Sequence, residues 1–173
     1  AAGDDVDRLR SELHVLQAEQ AWNQGNRGQS LEHATAALAA PWEPLAFDDA
    51  TSHAKALLSY ARAQASLGRC GIATREVANA LRLRAAFTQR PDFTDDWTQA
   101  SNIERACGQP NAALKLAQLA ADNISSLPEP DSWRIGIVQL ALARALAAAG
   151  QPGSATAYQR AERAFALVVP ASH

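Results

Sequence analysis

The sequence predicts an all-helical fold of four stacked antiparallel helical hairpins. A glycine turn that leads into a helix with small residues recurs at Gly25, Gly68, Gly108 and Gly150, at intervals of 43, 40 and 42 positions. These short turns alternate with three longer loops, each of which contains proline. No segment alternates apolar and polar residues over enough positions to form a strand. A fixed period of this length is typical of a repeat array, in which neighbouring hairpins bury a continuous core.

Apolar residues at intervals of three and four predict eight helices. The first two are 4–24 and 29–40, and the third runs from the acids at 48 and 49 to about 67. The other five are 72–86, 94–107, 111–124, 133–149 and 153–169. On the first helix we expect Leu9, Leu13 and Leu16 to share the inward face with Ala18, Ala21 and Trp22. On the fourth helix we expect Arg75, Arg82 and Arg84 to point outward.

Acidic residues and prolines predict where the helices begin and end. Side-chain oxygens that can cap a helix N-terminus are offered by Asp48, Asp49 and Thr51, by Thr94 with two following aspartates, and by Asp131. Prolines then stop the second and sixth helices. Trp42 and Trp133 lie at helix boundaries, where we expect them to pack between neighbouring repeats.

The composition is that of a folded chain and excludes several classes of protein. The 173 residues are 47% hydrophobic and 20% charged, which argues against disorder. A net charge of -2 gives no overall basic field that would attract nucleic acid or an anionic membrane. No apolar run approaches the roughly 18 residues that a membrane span needs. Because the chain contains no Met, we expect a segment of a longer protein or a processed product.

Small residues at fixed distances from the turn glycines resemble those of tetratricopeptide repeats. Seven positions before each glycine stand Ala18, Ala61, Ser101 and Ala143, and five positions after it stand Ser30, Ala73, Ala113 and Ala155. The resemblance covers nearly the whole chain and implies one domain, 1–173, forming an α-α superhelix, with repeats at about 4–41, 46–90, 93–127 and 131–169.

Three features depart from the family pattern. The period is about 42 residues where about 34 is common, and the first-helix tyrosine is replaced by Ala21, Gln64, Glu104 and Leu146. In the fourth repeat Glu162 stands where alanine is expected. A turn two residues longer removes that misfit and gives Ala157, Ala161 and Ala164. Another helical repeat, of the armadillo or HEAT kind, is the alternative.

No constellation typical of catalysis or metal binding is present in the sequence. The four histidines lack metal-ligand spacing to one another or to a cysteine. No nucleophile elbow and no phosphate-binding loop occurs. The pairs Asp48 with Asp49 and Asp95 with Asp96 are better explained as first-turn acids than as catalytic pairs. We therefore expect no enzyme activity, no metal and no cofactor.

The two cysteines are candidates for a disulfide. Cys70 opens the second helix of repeat two and Cys107 closes the first helix of repeat three, so their helix ends are expected to meet. The alternative is two small buried thiols. A bridge would favour an oxidising compartment such as the periplasm over the cytoplasm.

The resemblance also implies a concave groove that is lined by the first helix of each repeat and holds a peptide or a partner helix. The family's groove positions fall here on Lys55, Arg62, Asn102, Arg105 and Arg144. Guanidinium groups suit forked hydrogen bonds to carboxylates, so the expected partner is a protein or peptide with acidic groups.

These expectations combine into a non-catalytic protein-interaction module. The alanine- and arginine-rich composition is similar to helical tails of some bacterial kinases and transcription regulators, which favours a regulatory or sensing part of a larger signalling protein. One alternative is a structural homodimer, suggested by the apolar end Phe165–Val169. Another is an enzyme on a helical-repeat scaffold.

Overall fold

The computed structural model describes residues 2–41, 47–86 and 93–168. Within them the chain forms eight α-helices and no strand, so the all-helical prediction is confirmed and each predicted helix is present. The helices are α1 (Ala2–Asn23), α2 (Arg27–Ala39), α3 (Phe47–Ser66), α4 (Cys70–Ala85), α5 (Thr94–Ala106), α6 (Pro110–Ser126), α7 (Ser132–Ala148) and α8 (Ser154–Ala166). Trp42 and the loop 87–92 lie outside the described residues.

The four turn glycines close the first helix of each hairpin in the same way. Gly25, Gly68, Gly108 and Gly150 have φ values of 79°, 74°, 70° and 63°. In each turn the residue after the glycine donates its backbone N–H to a carbonyl five residues earlier, as from Asn26 to Ala21. This is the Schellman arrangement, which needs a left-handed residue after the helix end and therefore favours glycine. The recurrence seen in the sequence is a recurrence of backbone geometry.

Small residues bring the two helices of each hairpin close together. Ala18, Ala61, Ser101 and Ala143 are all buried on the first helices. Facing residues Ser30, Ala73 and Ala113 are completely buried on the second helices. In the fourth hairpin Ala155 is exposed, while Ala157, Ala161 and Ala164 are buried, because the turn continues to Gly153 at φ 99°. The longer turn expected for this repeat is therefore confirmed.

The chain divides into two compact units, 1–90 and 91–173. In the first unit α1 pairs with α2 and α3 pairs with α4, and α3 also packs on both α1 and α2. The second unit repeats this order, with α7 packed on both α5 and α6. This contact order is compatible with a helical repeat. Whether the four hairpins form one domain stays a prediction.

The core of each unit is built mostly from alanine. Val15, Ala37 and Ala56 pack together in the first unit. In the second unit Ala120, Ile124 and Val138 form one cluster. A second cluster consists of Ala113, Ala117 and Ala145. Because alanine adds little volume, helix axes can approach closely where these residues meet. Such a core is sensitive to added volume, since interiors are close-packed.

Two expectations about side-chain direction are wrong. Leu9, Leu13 and Leu16 are exposed, whereas Ala18 and Ala21 are buried as expected, together with Val15. Helix α1 carries two apolar stripes, and the one with smaller side chains faces the core because α2 lies close against it. Arg84 is buried rather than outward, and its guanidinium donates to the hydroxyl of Thr51.

The helix-capping predictions have mixed outcomes. Asp131 caps α7 as expected, accepting a hydrogen bond of 2.8 Å from the backbone N–H of Arg134. Asp48 and Asp49 lie inside the first turn of α3, because that helix already begins at Phe47. At α5 the N-cap position is Phe93, which supplies no capping side chain. The acids there still face the positive end of a helix dipole.

Candidate functional site

Two arginines stack on one tryptophan in the first unit. The guanidinium carbon of Arg27 lies 3.6 Å from the ring centroid of Trp22, and that of Arg62 lies 4.6 Å from the same centroid. Trp22 is on α1, Arg27 begins α2 and Arg62 is on α3, so the cluster spans three helices. Both contacts are within the range of cation–π attraction. We call Trp22, Arg27 and Arg62 the arginine–tryptophan cluster.

The two arginines are held differently. Arg27 also donates through Nη1 to the carbonyl oxygen of Trp22, at 2.9 Å. Arg62 has two buried donors, Nε and Nη2, that meet no acceptor among the described residues. Burial lowers the pKa of the Arg62 guanidinium, Glu19 partly offsets this, and Arg27 lowers it further. The cluster is therefore a partly desolvated positive site whose hydrogen-bonding capacity exceeds what its surroundings use.

The other predicted groove residues are distributed over both units. Lys55 is exposed on α3, and Arg144 is exposed on α7. Asn102 and Arg105 are half-buried one turn apart on α5, and Nε of Arg105 is a buried donor that has no acceptor among the described residues. The structure thus brings Arg62 together with Trp22 within the first unit. A shared groove for the five residues stays a prediction.

Sequence reasoning missed Arg27 as a member of this site. The predicted helices 4–24 and 29–40 leave Arg27 in the turn between them, whereas the structure places it at the start of α2. The available signal was its place five residues after Trp22, across a turn that reverses the chain. A turn of that kind can return a long side chain to the face of the tryptophan.

The paired aspartates behave as structural acids where their contacts are described. Asp49 lies 3.8 Å from Arg8 of α1, and Asp95 lies 3.3 Å from Arg134 of α7. Asp96 is buried, whereas Asp48 is exposed. Each contact joins first helices within one unit.

A small pocket lies between the N-terminal halves of α1 and α3, next to the end of α2. It holds about 10 Å³ and is lined in part by Arg8, Asp49, Ser52 and His53. Burial lowers the pKa of His53, and Glu76 partly offsets that effect. The volume is about that of one water molecule. This pocket is therefore too small for an organic substrate.

Glu104 is a buried carboxyl group at the end of α5. Its side chain is 4% exposed, and Oε2 has no hydrogen-bond donor among the described residues. Burial raises the pKa of this carboxyl group above its ordinary value. The position corresponds to Ala21, Gln64 and Leu146 in the other hairpins, so an ionised group there has no counterpart at the other turns.

Cys70 begins α4 and Cys107 directly follows α5. Neither cysteine is a free thiol in the structure. The predicted pairing of one with the other would join the two units, and it stays a prediction, as does the compartment. Trp133, expected to pack between repeats, instead contacts Phe165 of its own hairpin, with ring centroids 5.2 Å apart.

The described residues contain neither a group suited to a metal ion nor a helix suited to crossing a membrane. In the described part of the chain no group of three or more His, Cys, Asp or Glu residues could hold a metal ion. Across residues 2–41, 47–86 and 93–168, no helix has both the length and the apolar character that crossing a bilayer requires. No protein-family model matches the chain. No curated protein matches it significantly.

Proposed function

We propose that the chain is a non-catalytic protein-interaction module of the tetratricopeptide type, and that its first unit binds an acidic group of a partner protein or peptide. The observation that carries this proposal is Arg62, whose Nε and Nη2 donors are buried without an acceptor beside the ring of Trp22. Leaving such donors unpaired costs free energy that a partner carboxylate would recover. The wider module would act as a regulatory or sensing part of a larger signalling protein.

The chemistry of the arginine–tryptophan cluster favours a carboxylate over a neutral or basic partner. Two guanidinium groups share one tryptophan ring, so their positive charges are close and each opposes the other. Glu19 is the acid that most affects Arg62, and it only partly offsets the cost of burial. A bound carboxylate would accept forked hydrogen bonds from Arg62 and reduce the repulsion between the arginines. The planar guanidinium is well suited to this geometry.

Arg62→Met tests the proposal because methionine keeps the apolar stem against Trp22 and removes the donors. The probe is a pool of fluorescein-labelled hexapeptides rich in Asp and Glu, compared with a matched pool in which Asn and Gln replace the acids. Fluorescence anisotropy measures binding to the 173-residue chain. Arg62→Met should weaken acidic-pool binding by about 30-fold or more, the range expected on removing one partner of a desolvated charge pair.

Arg82→Met is the matched control, since Arg82 is exposed on α4 and lies outside the arginine–tryptophan cluster. It should leave binding within about twofold, as expected for an exposed charge. Equal binding of the acidic and amide pools, or equal loss in both variants, would reject the acidic site.

A further inference from the structure

Neighbouring first helices meet through the same pair of repeat positions in both units. In the first unit Ser52 of α3 donates to Glu12 of α1 at 2.8 Å, and in the second unit Arg134 of α7 lies 3.3 Å from Asp95 of α5. Glu12 and Asp95 each stand 13 positions before their turn glycine. Ser52 and Arg134 each stand 16 positions before theirs. We number these positions by their distance before the turn glycine. Within each unit, position 13 of one first helix therefore faces position 16 of the following first helix.

The residue at position 16 of α1 and the residue at position 13 of α7 are apolar and exposed, whereas position 13 of α3 holds the exposed Lys55. Leu9 holds position 16 on α1, and Ile137 holds position 13 on α7. Leu9 is 56% exposed and Ile137 is 36% exposed. Within each unit the contact between positions 13 and 16 is made by polar residues. On α1 and α7 the exposed residues at these positions are apolar.

Helix α1 presents a continuous apolar stripe around Leu9. Val6, Leu9, Leu13 and Leu16 are each more than half exposed. The equivalent positions of α3 include Ser52 and Ala56, which are buried, and Ala56 packs with Val15 and Ala37 of the preceding hairpin. The stripe therefore occupies the positions that a first helix uses to pack on the hairpin before it. We call these four residues the leading face.

The last hairpin also carries exposed apolar residues at repeat positions that are used for packing elsewhere in the chain. Tyr158 of α8 is 43% exposed, and Val168, two residues after that helix ends, is 45% exposed. Allowing for the turn that is two residues longer, they correspond to Leu114 and Ile124 of α6. Those residues pack against α7, where Leu114 contacts the cluster of Ala145 and Ile124 contacts Val138. Ile137, Tyr158 and Val168 thus hold positions that receive a following hairpin, and we call them the trailing face.

We propose that copies of this chain associate head to tail, with the leading face of one copy packed on the trailing face of another. The choice of a second copy follows from the positions, since this one chain carries both halves of the same junction. The contact would repeat the packing of α3 on α1 and α2, with apolar side chains in place of the polar pair. Such an interface is heterologous, so each copy has one leading and one trailing face to offer. This inference is independent of the acidic-partner site.

Two variants make the direction of assembly testable. Leu13→Glu places a charge in the leading face, and Ile137→Glu places one in the trailing face. Gln118→Glu, at an exposed position on α6, adds the same charge elsewhere. Sedimentation velocity over a concentration series measures the mass of each protein, and circular dichroism confirms that each variant is folded. The wild-type chain and Gln118→Glu should rise above the monomer mass of 18.4 kDa as concentration increases.

Each face variant alone should remain a monomer, with its association weakened at least tenfold. Mixing Leu13→Glu with Ile137→Glu should restore a dimer and nothing larger, because the mixture retains one intact leading face and one intact trailing face that can meet. If Ile137→Glu still dimerises while Leu13→Glu does not, two leading faces pair with each other and the head-to-tail assignment is overturned. A wild-type chain that stays monomeric at all concentrations also overturns it.

Discussion

The hydroxyl of Ser30 donates a hydrogen bond to the carbonyl oxygen of Ala18, 2.9 Å away across the first hairpin. In the third hairpin the direction is reversed, and Ser101 on the first helix donates to the carbonyl oxygen of Ala113 on the second, at 2.8 Å. Both pairs occupy the same two repeat positions. The two helices therefore approach closely in both hairpins. The serine that supplies the hydroxyl lies on the second helix in one hairpin and on the first helix in the other.

Added volume at this crossing should destabilise the fold. Ala73 on α4 is completely buried at the position equivalent to Ser30, so Ala73→Leu should lower the free energy of unfolding by about 1–3 kcal/mol. Ala78→Leu, at an exposed position on the same helix, should change it by less than about 0.5 kcal/mol. Urea unfolding followed by circular dichroism measures both. Equal stability of the two variants would mean that the hairpin tolerates a wider helix separation.

Two glycines three positions apart should respond oppositely to alanine. Gly68 has φ 74°, so Gly68→Ala forces a side chain into the left-handed region and should cost about 1–2 kcal/mol. Gly71 lies in the first turn of α4 with nothing near its missing side chain, so Gly71→Ala should add roughly 0.5–1 kcal/mol of stability. Thermal and urea unfolding report the signs. Two variants that shift stability in the same direction would contradict the turn geometry.

Glu104 should make the folded state less stable as pH rises. Burial raises the pKa of its carboxyl group in the folded state, so the folded protein binds this proton more tightly than the unfolded chain does. Stability from this group is present below the ordinary pKa of 4.5 and is lost as pH rises through the raised value. Glu104→Gln should therefore stabilise the protein at pH 7, by roughly 1 kcal/mol for a buried unpaired group.

The measurement for Glu104 is the unfolding midpoint from pH 4 to pH 8. The difference between Glu104→Gln and the parent chain should grow with pH. Glu162→Gln is the control, because Glu162 is exposed on α8 and should show no such trend. A gain that is the same at every pH would assign the effect of Glu104→Gln to packing rather than to ionisation.

The pairing of Cys70 with Cys107 can be tested by counting thiols. The unfolded, non-reduced chain should show no reactive thiol, and two should appear after reduction. Non-reducing peptide mapping by mass spectrometry should find the two cysteines in one linked pair. A disulfide that closes a loop of this length typically contributes about 2–4 kcal/mol, so reduction should lower the unfolding midpoint. Two titratable thiols in the non-reduced protein would remove the bridge.

Local signals in the sequence were sufficient for the helices and turns. Gly25, Gly68, Gly108 and Gly150 each needed a left-handed backbone that glycine alone adopts cheaply, so a fixed interval between glycines became a fixed interval between turns. The longer fourth turn was also predictable, because Ala157 and Ala161 restore the small-residue pattern only after a shift of two positions. Information of this kind is carried by neighbouring residues.

The face of α1 that is buried was not predictable in the same way. Its leucines and its smaller apolar residues form two stripes, and periodicity alone favours the larger side chains for the core. The choice between the stripes depends on how closely α2 and α3 approach, which is a property of several distant segments. The same reason applies to Arg27, whose place on Trp22 depends on the geometry of the turn between them.

The Schellman turns also bear on how the chain folds. Each turn satisfies its own helix end with carbonyl and amide groups only a few residues apart, so a hairpin can form before distant segments meet. Folding in such arrays can begin at any hairpin and spread to its neighbours. Most contacts join residues that are close in sequence, so the rate-limiting step of folding should require the closure of short loops only. This is typical of rapidly folding helical proteins.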